Sequence, residues 1–361
     1  MSKARQLADL GNQVDDGAIT GTNLVANGAM NVAQRGVSVT GVTGGGNTFS
    51  LDRWVYDGTN SATLTLSQDA DAPDGFNYSL KAQVTTADGA YGSGTDYARI
   101  TQKIEGYNGQ QLGLGESWAK PFVVSFWVKS SVAGGYSCTV YSETTNNYHN
   151  AGSYQINSAN TWEYKTVSFS PHTSGSVGNT TNGSNLRVQF HLNKAGPTYS
   201  GTQNTWVNSV VISGTSDQNT WISTLNSTFQ ITGVCLNVGD SAIDFPHESF
   251  SETLAKCQRY FQLYPEETTV TGICYNNDPD WYFPFVFPEM RADPTVTFSD
   301  NPLLFCNSAN SDTTSVTSSS NNDNRRSIRL QAQSAAVGSA GQAGWLQLNA
   351  ANSYFTLDAE L

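Results

Sequence analysis

The sequence predicts an all-β protein: a jelly-roll-like antiparallel sandwich, a short helix, then a second small β-sandwich domain, all preceded by a short N-terminal helical segment. Three observations predict it. Segments that alternate apolar and polar residues with period two recur along the chain, the pattern of strands with one buried and one solvated face. The stretches between them are rich in Gly, Asn and Asp, residues suited to tight turns; no helical segments intervene, so the crossovers that parallel pairing needs are missing. Finally, charged residues make up only 13% of the chain, about half the usual share, too few Lys and Glu to solvate long helices.

Taken in order, residues 2–10 suit one or two helical turns stopped by Gly11, and residues 12–23 form a polar tether, so 1–23 is read as an attachment segment. The sandwich spans 24–246. Its clearest strands are 63–67, 78–84, 123–129, 166–169, 186–192 and 228–236. Residues 247–264 hold the one clear helix signal: Ser249 with Glu252 three residues on forms a capping box, and Leu254, Cys257 and Phe261 follow at helical spacing. The helix marks a domain junction. The C-terminal β domain covers 265–361, with strands at 282–287, 295–298 and 353–361; the Ser-, Thr-, Asn- and Asp-rich stretch 307–324 is expected to be a polar loop or edge hairpin.

Composition excludes several function classes. The chain of 361 residues has room for two β domains with separate cores. Its net charge of −12, with no basic cluster beyond Arg325, Arg326 and Arg329, argues against a nucleic-acid partner. No apolar run approaches the ~20 residues of a membrane span, so no membrane insertion is expected. The first residues lack the apolar stretch of a signal peptide, which argues against export by that route. Cys138, Cys235, Cys257, Cys274 and Cys306 are scattered without a CxxC pair, the pattern of buried free thiols in a reducing compartment; a disulfide framework or metal site is the alternative.

Catalytic constellations are missing from the sequence. His149, His172, His191 and His247 show no zinc-binding spacing, and neither a nucleophile elbow nor a phosphate loop occurs. The protein is therefore expected to be non-enzymatic and to need no cofactor. Asp69, Asp71 and Asp74, and Asp278 with Asp280, suit solvated turns; a calcium site or a glycosidase carboxylate pair is the alternative. Asp52-Arg53-Trp54 suits a buried ion pair at a first strand, with sugar contact as the alternative, and Trp127 and Trp162 are expected in the core.

The positive signal is for sugar recognition. Rings stack on the C–H faces of pyranoses while short polar side chains bond the hydroxyls, and the chain holds 8 Trp and 16 Tyr in such a background. Aromatic residues in loop-like polar contexts are the candidates. Tyr141, Tyr148, His149 and Tyr154 surround Thr144–Asn147 in the sandwich, and Tyr275 and Trp281 flank Asn276–Asp280 in the second domain.

Ordered motifs along most of the chain carry a resemblance. They are Asn27-Gly28-Ala29-Met30-Asn31-Val32-Ala33-Gln34-Arg35-Gly36, Leu51-Asp52-Arg53-Trp54, Ile104-Glu105-Gly106 and Ser125-Phe126-Trp127-Val128-Lys129-Ser130-Ser131. Further on come Thr161-Trp162-Glu163, Ile231 to Gly239, Leu254 to Phe261, Pro288 to Thr295 and the terminal Asp358-Ala359-Glu360-Leu361. Together they resemble a family of bacteriophage tail-fibre and appendage proteins with a carbohydrate-binding-module-like jelly roll. Cys235-Leu236-Asn237 departs from the family's frequent Gln-Leu-Glu. Residues 2–11 also resemble short fibre segments that precede binding domains. The resemblance implies a virion protein on the tail or particle surface, assembled in the host cytoplasm and homotrimeric. It would be held to other virion proteins by its N-terminal segment and would contact host surface polysaccharide as a receptor-binding protein in adsorption. Two other readings stay open: an architectural capsid-decoration or tail-connecting protein without glycan binding, and a polysaccharide depolymerase.

Overall fold

Alternating apolar residues need a second layer to bury them, and the first part of the chain supplies it with two six-stranded antiparallel sheets. The computed structural model describes residues 22–89, 96–143, 147–175, 181–193, 200–208, 213–214, 219–275, 280–306, 309–319, 325–334 and 339–361; the expected N-terminal helical turns lie outside them. The first sheet runs, in spatial order, Ser38–Thr43, Thr63–Asp69, Ser79–Thr86, Thr228–Val238, Phe122–Ser130 and Glu163–Phe169. The second runs Thr48–Phe49, Val55–Thr59, Tyr97–Glu105, Ser184–His191, Gly134–Ser142 and Tyr148–Ile156. Strands distant in sequence are neighbours in both sheets, as a jelly roll requires. Between the sheets lies a core that includes Trp54, Tyr56, Phe122, Phe126, Phe190 and Phe229.

Every strand expected for the sandwich is present within a residue or a few of its expected ends. Trp127 is the correction. Phe126 and Val128 point into the core, so the alternation turns Trp127 onto the outer face of the first sheet, half-buried beside Tyr164 at 5.4 Å between rings. Trp162 is likewise only half-buried. Asp52 and Arg53 are buried as expected; the Asp52 carboxylate accepts from the backbone and side chain of Gln34, both at 2.6 Å. Asp69 ends its strand and accepts from the Asp71 N–H at 2.9 Å, and the two carboxylates pair with Lys81 and Lys129.

The chain divides into two units between Leu254 and Ala255, within the helix Phe250–Gln258. Its capping box is formed: the Ser249 N–H donates to Glu252 Oε2 at 2.8 Å and the Glu252 N–H to Ser249 Oγ at 3.3 Å. The second unit is also all-β, but its strands do not face one another as two open sheets. Six of them close into an antiparallel barrel, in the order Thr269–Cys274, Asp280–Val286, Ser327–Ser334, Ala309–Ser319, Leu303–Cys306, Ala343–Gln347 and back to the first. A three-stranded sheet of Phe261–Pro265, Tyr354–Asp358 and Thr295–Phe298 completes it. The polar stretch read as loop or edge hairpin thus supplies an internal barrel strand, with pairing on both sides. Cys138, Cys235, Cys257 and Cys274 are buried free thiols and Cys306 is a half-buried one. No helix among the described residues is long and apolar enough to cross a membrane.

Candidate functional site

The six sequence-selected aromatic residues separate once strand alternation is applied to them. Tyr148 and Tyr154 have core-side positions: Tyr154 packs on Phe126 at 5.0 Å between rings, and Tyr148 lies against the buried His172 at 4.6 Å. Trp281 is fully buried in the barrel interior, against Phe283. A buried ring has no face to offer a sugar, which removes Tyr154 and Trp281 as stacking platforms. Tyr275 is exposed and meets Tyr282 at 5.0 Å; residues 276–279, including Asp278, lie outside the described residues. Of the six, Tyr141 and His149 share the outward side of a sheet, although the His149 ring, like that of Tyr154, is buried. They are opposite each other on neighbouring strands, on the outer face of the second sheet, and their rings stack at 4.3 Å and 14°.

That outer face carries three cross-strand rows of polar side chains. Asp57, Arg99, His191 and Ser137 are aligned in one row, Thr101, Gln189 and Thr139 in the next, and Lys103, Arg187, Tyr141 and His149 in the third. The guanidinia are charge-balanced and sit on rings. Arg99 pairs with Asp57 and lies 4.5 Å over Tyr97; Arg187 pairs with Glu143 and lies 4.9 Å over Tyr141. These long side chains reach solvent, but the floor between them does not: Thr101, Thr139, Gln189 and His191 are each 1% exposed or less.

A hydrogen-bond chain crosses the floor. Thr139 Oγ1 donates to Gln189 Oε1 at 3.2 Å and lies 2.9 Å from His191 Nε2. When its single proton goes to Gln189 it accepts from His191, and when the proton goes to His191 the imidazole takes the other tautomer. Burial and the nearby Arg99 charge push the His149 imidazole down from 6.5 to about 4. Burial, Arg99 and His149 together hold His191 well below 6.5. Both are therefore neutral near pH 7.

Several polar atoms here are buried without a protein partner: Thr101 Oγ1, Gln189 Nε2, Arg187 Nε, His149 Nδ1 and His191 Nδ1. An unpaired buried polar atom costs about 1–3 kcal/mol, so a cluster of them on one sheet face is not neutral ground. Sequence reasoning found Tyr141 and His149 and missed Asp57, Arg99, Thr101, Thr139, Arg187, Gln189 and His191. A signal was available: a chain this poor in charge sets Arg99, Lys103 and Arg187 at outward positions of adjacent strands. Among the described residues no group of His, Cys, Asp or Glu is arranged to hold a metal ion.

No family model matches this sequence, and no curated protein matches it. Solved structures with similarity include the enzymatically active domain of tailspike protein 4 of bacteriophage CBA120, at 14% identity and a TM-score of 0.34; the match covers 60% of this chain and 21% of that one. The chain thus spans about a fifth of the tailspike's length. A putative sugar-binding protein from Bacteroides thetaiotaomicron matches at 12% identity and TM-score 0.33, over 60% of this chain and 100% of its own. The family 11 carbohydrate-binding module of a Clostridium thermocellum cellulosomal cellulase matches at 12% and 0.30, over 55% and 97%.

Proposed function

We propose that this protein is a phage virion appendage that binds a surface glycan, without catalysis, on the outer face of its second sheet. One observation carries the binding half of this reading: the unpaired buried atoms are of both kinds. Gln189 Nε2 and Arg187 Nε are donors, His191 Nδ1 is an acceptor in the tautomer protonated at Nε2, and Thr101 Oγ1 is either. A phosphate or carboxylate ligand offers acceptors only. Sugar hydroxyls donate and accept, and two of the three cations on this face, Arg99 and Arg187, are already paired with Asp57 and Glu143. Tyr97 supplies apolar surface for the C–H face of a ring, while Tyr141 is already sandwiched between Arg187 and His149. The ligand would lie over the partly exposed arginines, which swing aside so that its hydroxyls, or waters they carry, reach the floor.

The virion half rests on the sequence resemblance. In this reading residues 1–23 attach the protein to the particle, the assembly is a homotrimer formed in the host cytoplasm, and weak sites gain from multivalency. Binding to an array of bacterial surface polysaccharides tests the reading, with a Gln189→Leu variant alongside. Saturable binding that falls at least tenfold in the variant is expected, with no new reducing ends released. Absence of binding by well-folded protein would move the weight to an architectural part, and released reducing ends would restore the depolymerase.

A further inference from the structure

We infer that His191 determines which sugar the site accepts, by requiring a ligand hydroxyl that donates to its Nδ1 atom; this rests on the glycan reading above. The constraint comes from a relay. Thr139 Oγ1 has one proton, and in this relay Gln189 Oε1 takes it at 3.2 Å. The Thr139 lone pair then accepts the Nε2–H of His191 at 2.9 Å. A neutral imidazole carries one N–H, so Nδ1 is left as a bare acceptor. The groups around His191 do not alter this. Arg99, opposite it on one side, is a donor already paired with Asp57, Ser137 stands opposite on the other side, and His149 is within electrostatic reach. Nδ1 itself is buried and unpartnered.

An O–H satisfies such an acceptor. An ether, an ester or a C–H does not, so a sugar that is deoxygenated, O-methylated or O-acetylated at the contacting position leaves Nδ1 unpaired. Loss of one such buried hydrogen bond is expected to weaken binding roughly 10- to 100-fold. The site would thus read a free hydroxyl and reject the masked form, while Gln189 Nε2, on the same face and two residues away, donates to a hydroxyl oxygen. Thr139 is the positioning residue that holds the tautomer.

Imidazole ¹⁵N spectra of the full chain test this. The free protein is expected to show His191 protonated at Nε2 only, a state lost in Thr139→Val and kept in Thr139→Ser, with thermal unfolding confirming that both variants fold. Titration with methyl glucoside, galactoside and mannoside and their monodeoxy forms should then shift His191 with at least one parent glycoside, and one deoxy form of it should fail. An Nδ1-protonated His191 overturns the inference. So does equal response to every deoxy form, or an unmoved His191 in a protein that binds surface polysaccharide; the glycan reading survives both. A protein that binds neither the glycosides nor any surface polysaccharide overturns the glycan reading itself.

Discussion

The two outer faces of the sandwich solve the same problem in opposite ways. On the first sheet, Lys129 pairs with Asp71, whose other oxygen accepts the Trp162 Nε1–H at 3.0 Å, and Lys81 pairs with Asp69. These groups are partly solvated and hold one another. On the second sheet the ion pairs sit at the rim, and beneath them polar atoms are buried without partners. The first face also holds a buried unpartnered atom, Thr232 Oγ1 opposite Trp127, but one against at least five among the described residues leaves it much nearer an ordinary protein surface. A face with several unpaired buried donors and acceptors loses stability for as long as nothing fills it, and that difference is why the binding proposal is placed on the second face.

The largest expected contrast comes from removing one carboxylate on each face. Asp57→Ala strands the largely buried Arg99 and is expected to cost about 3–5 kcal/mol. Asp71→Ala breaks a pair whose carboxylate is 45% exposed and is expected to cost no more than about 1 kcal/mol. Urea titration of both variants measures this, and equal losses would erase the distinction. Acid should separate the faces next. His149 and the core His172 have folded values lowered from 6.5 to about 4, by burial first, and His191 is likewise held well below 6.5. Below 6.5 the unfolded chain therefore binds protons that the folded chain does not. Their contribution is complete above that value and is lost as pH falls toward 4. Asp71, held below 3.8 by the hydrogen bond from Lys129, yields only at still lower pH. Thermal melts across this range should show an early loss of stability that flattens in His149→Phe.

A third test has opposite signs for stability and binding. Thr101→Val replaces an unpaired buried hydroxyl with a methyl group of the same shape, so it is expected to stabilise the fold by about 1 kcal/mol while weakening glycan binding at least tenfold. A destabilised variant would mean that the hydroxyl already has its partner. The smallest effect belongs to the first face. Tyr164→Ala removes a ring that is 45% exposed and is expected to move stability by no more than about 0.5 kcal/mol and binding not at all.

Much of the sandwich was legible because period-two alternation is a direct record of a half-buried strand. The strands at 63–69, 79–86 and 122–130 all carry it. Ser249 and Glu252 likewise announced their helix, since capping chemistry is local. The sequence was less informative where pairing replaced burial as the source of order. Ala309–Ser319 has scarcely an apolar residue, yet Thr and Val suit extended backbone and a closed barrel satisfies both of its edges. The candidate site was half legible for a related reason. Tyr141 and His149 stood out as aromatic residues, but the polar positions 99, 101, 187, 189 and 191 look in sequence like a solvated strand face. Only the fold shows that the middle row is buried and the hydrogen-bond count incomplete.

The most direct test measures polysaccharide binding by Gln189→Leu and by the double variant Trp127→Ala, Tyr164→Ala, each against the parent protein. Gln189→Leu alters the floor of the second face; the double variant strips the aromatic surface from the first. The account predicts at least a tenfold loss in Gln189→Leu and unchanged binding in the double variant. Binding that survives Gln189→Leu and disappears with Trp127 and Tyr164 would contradict it and place the glycan on the first face.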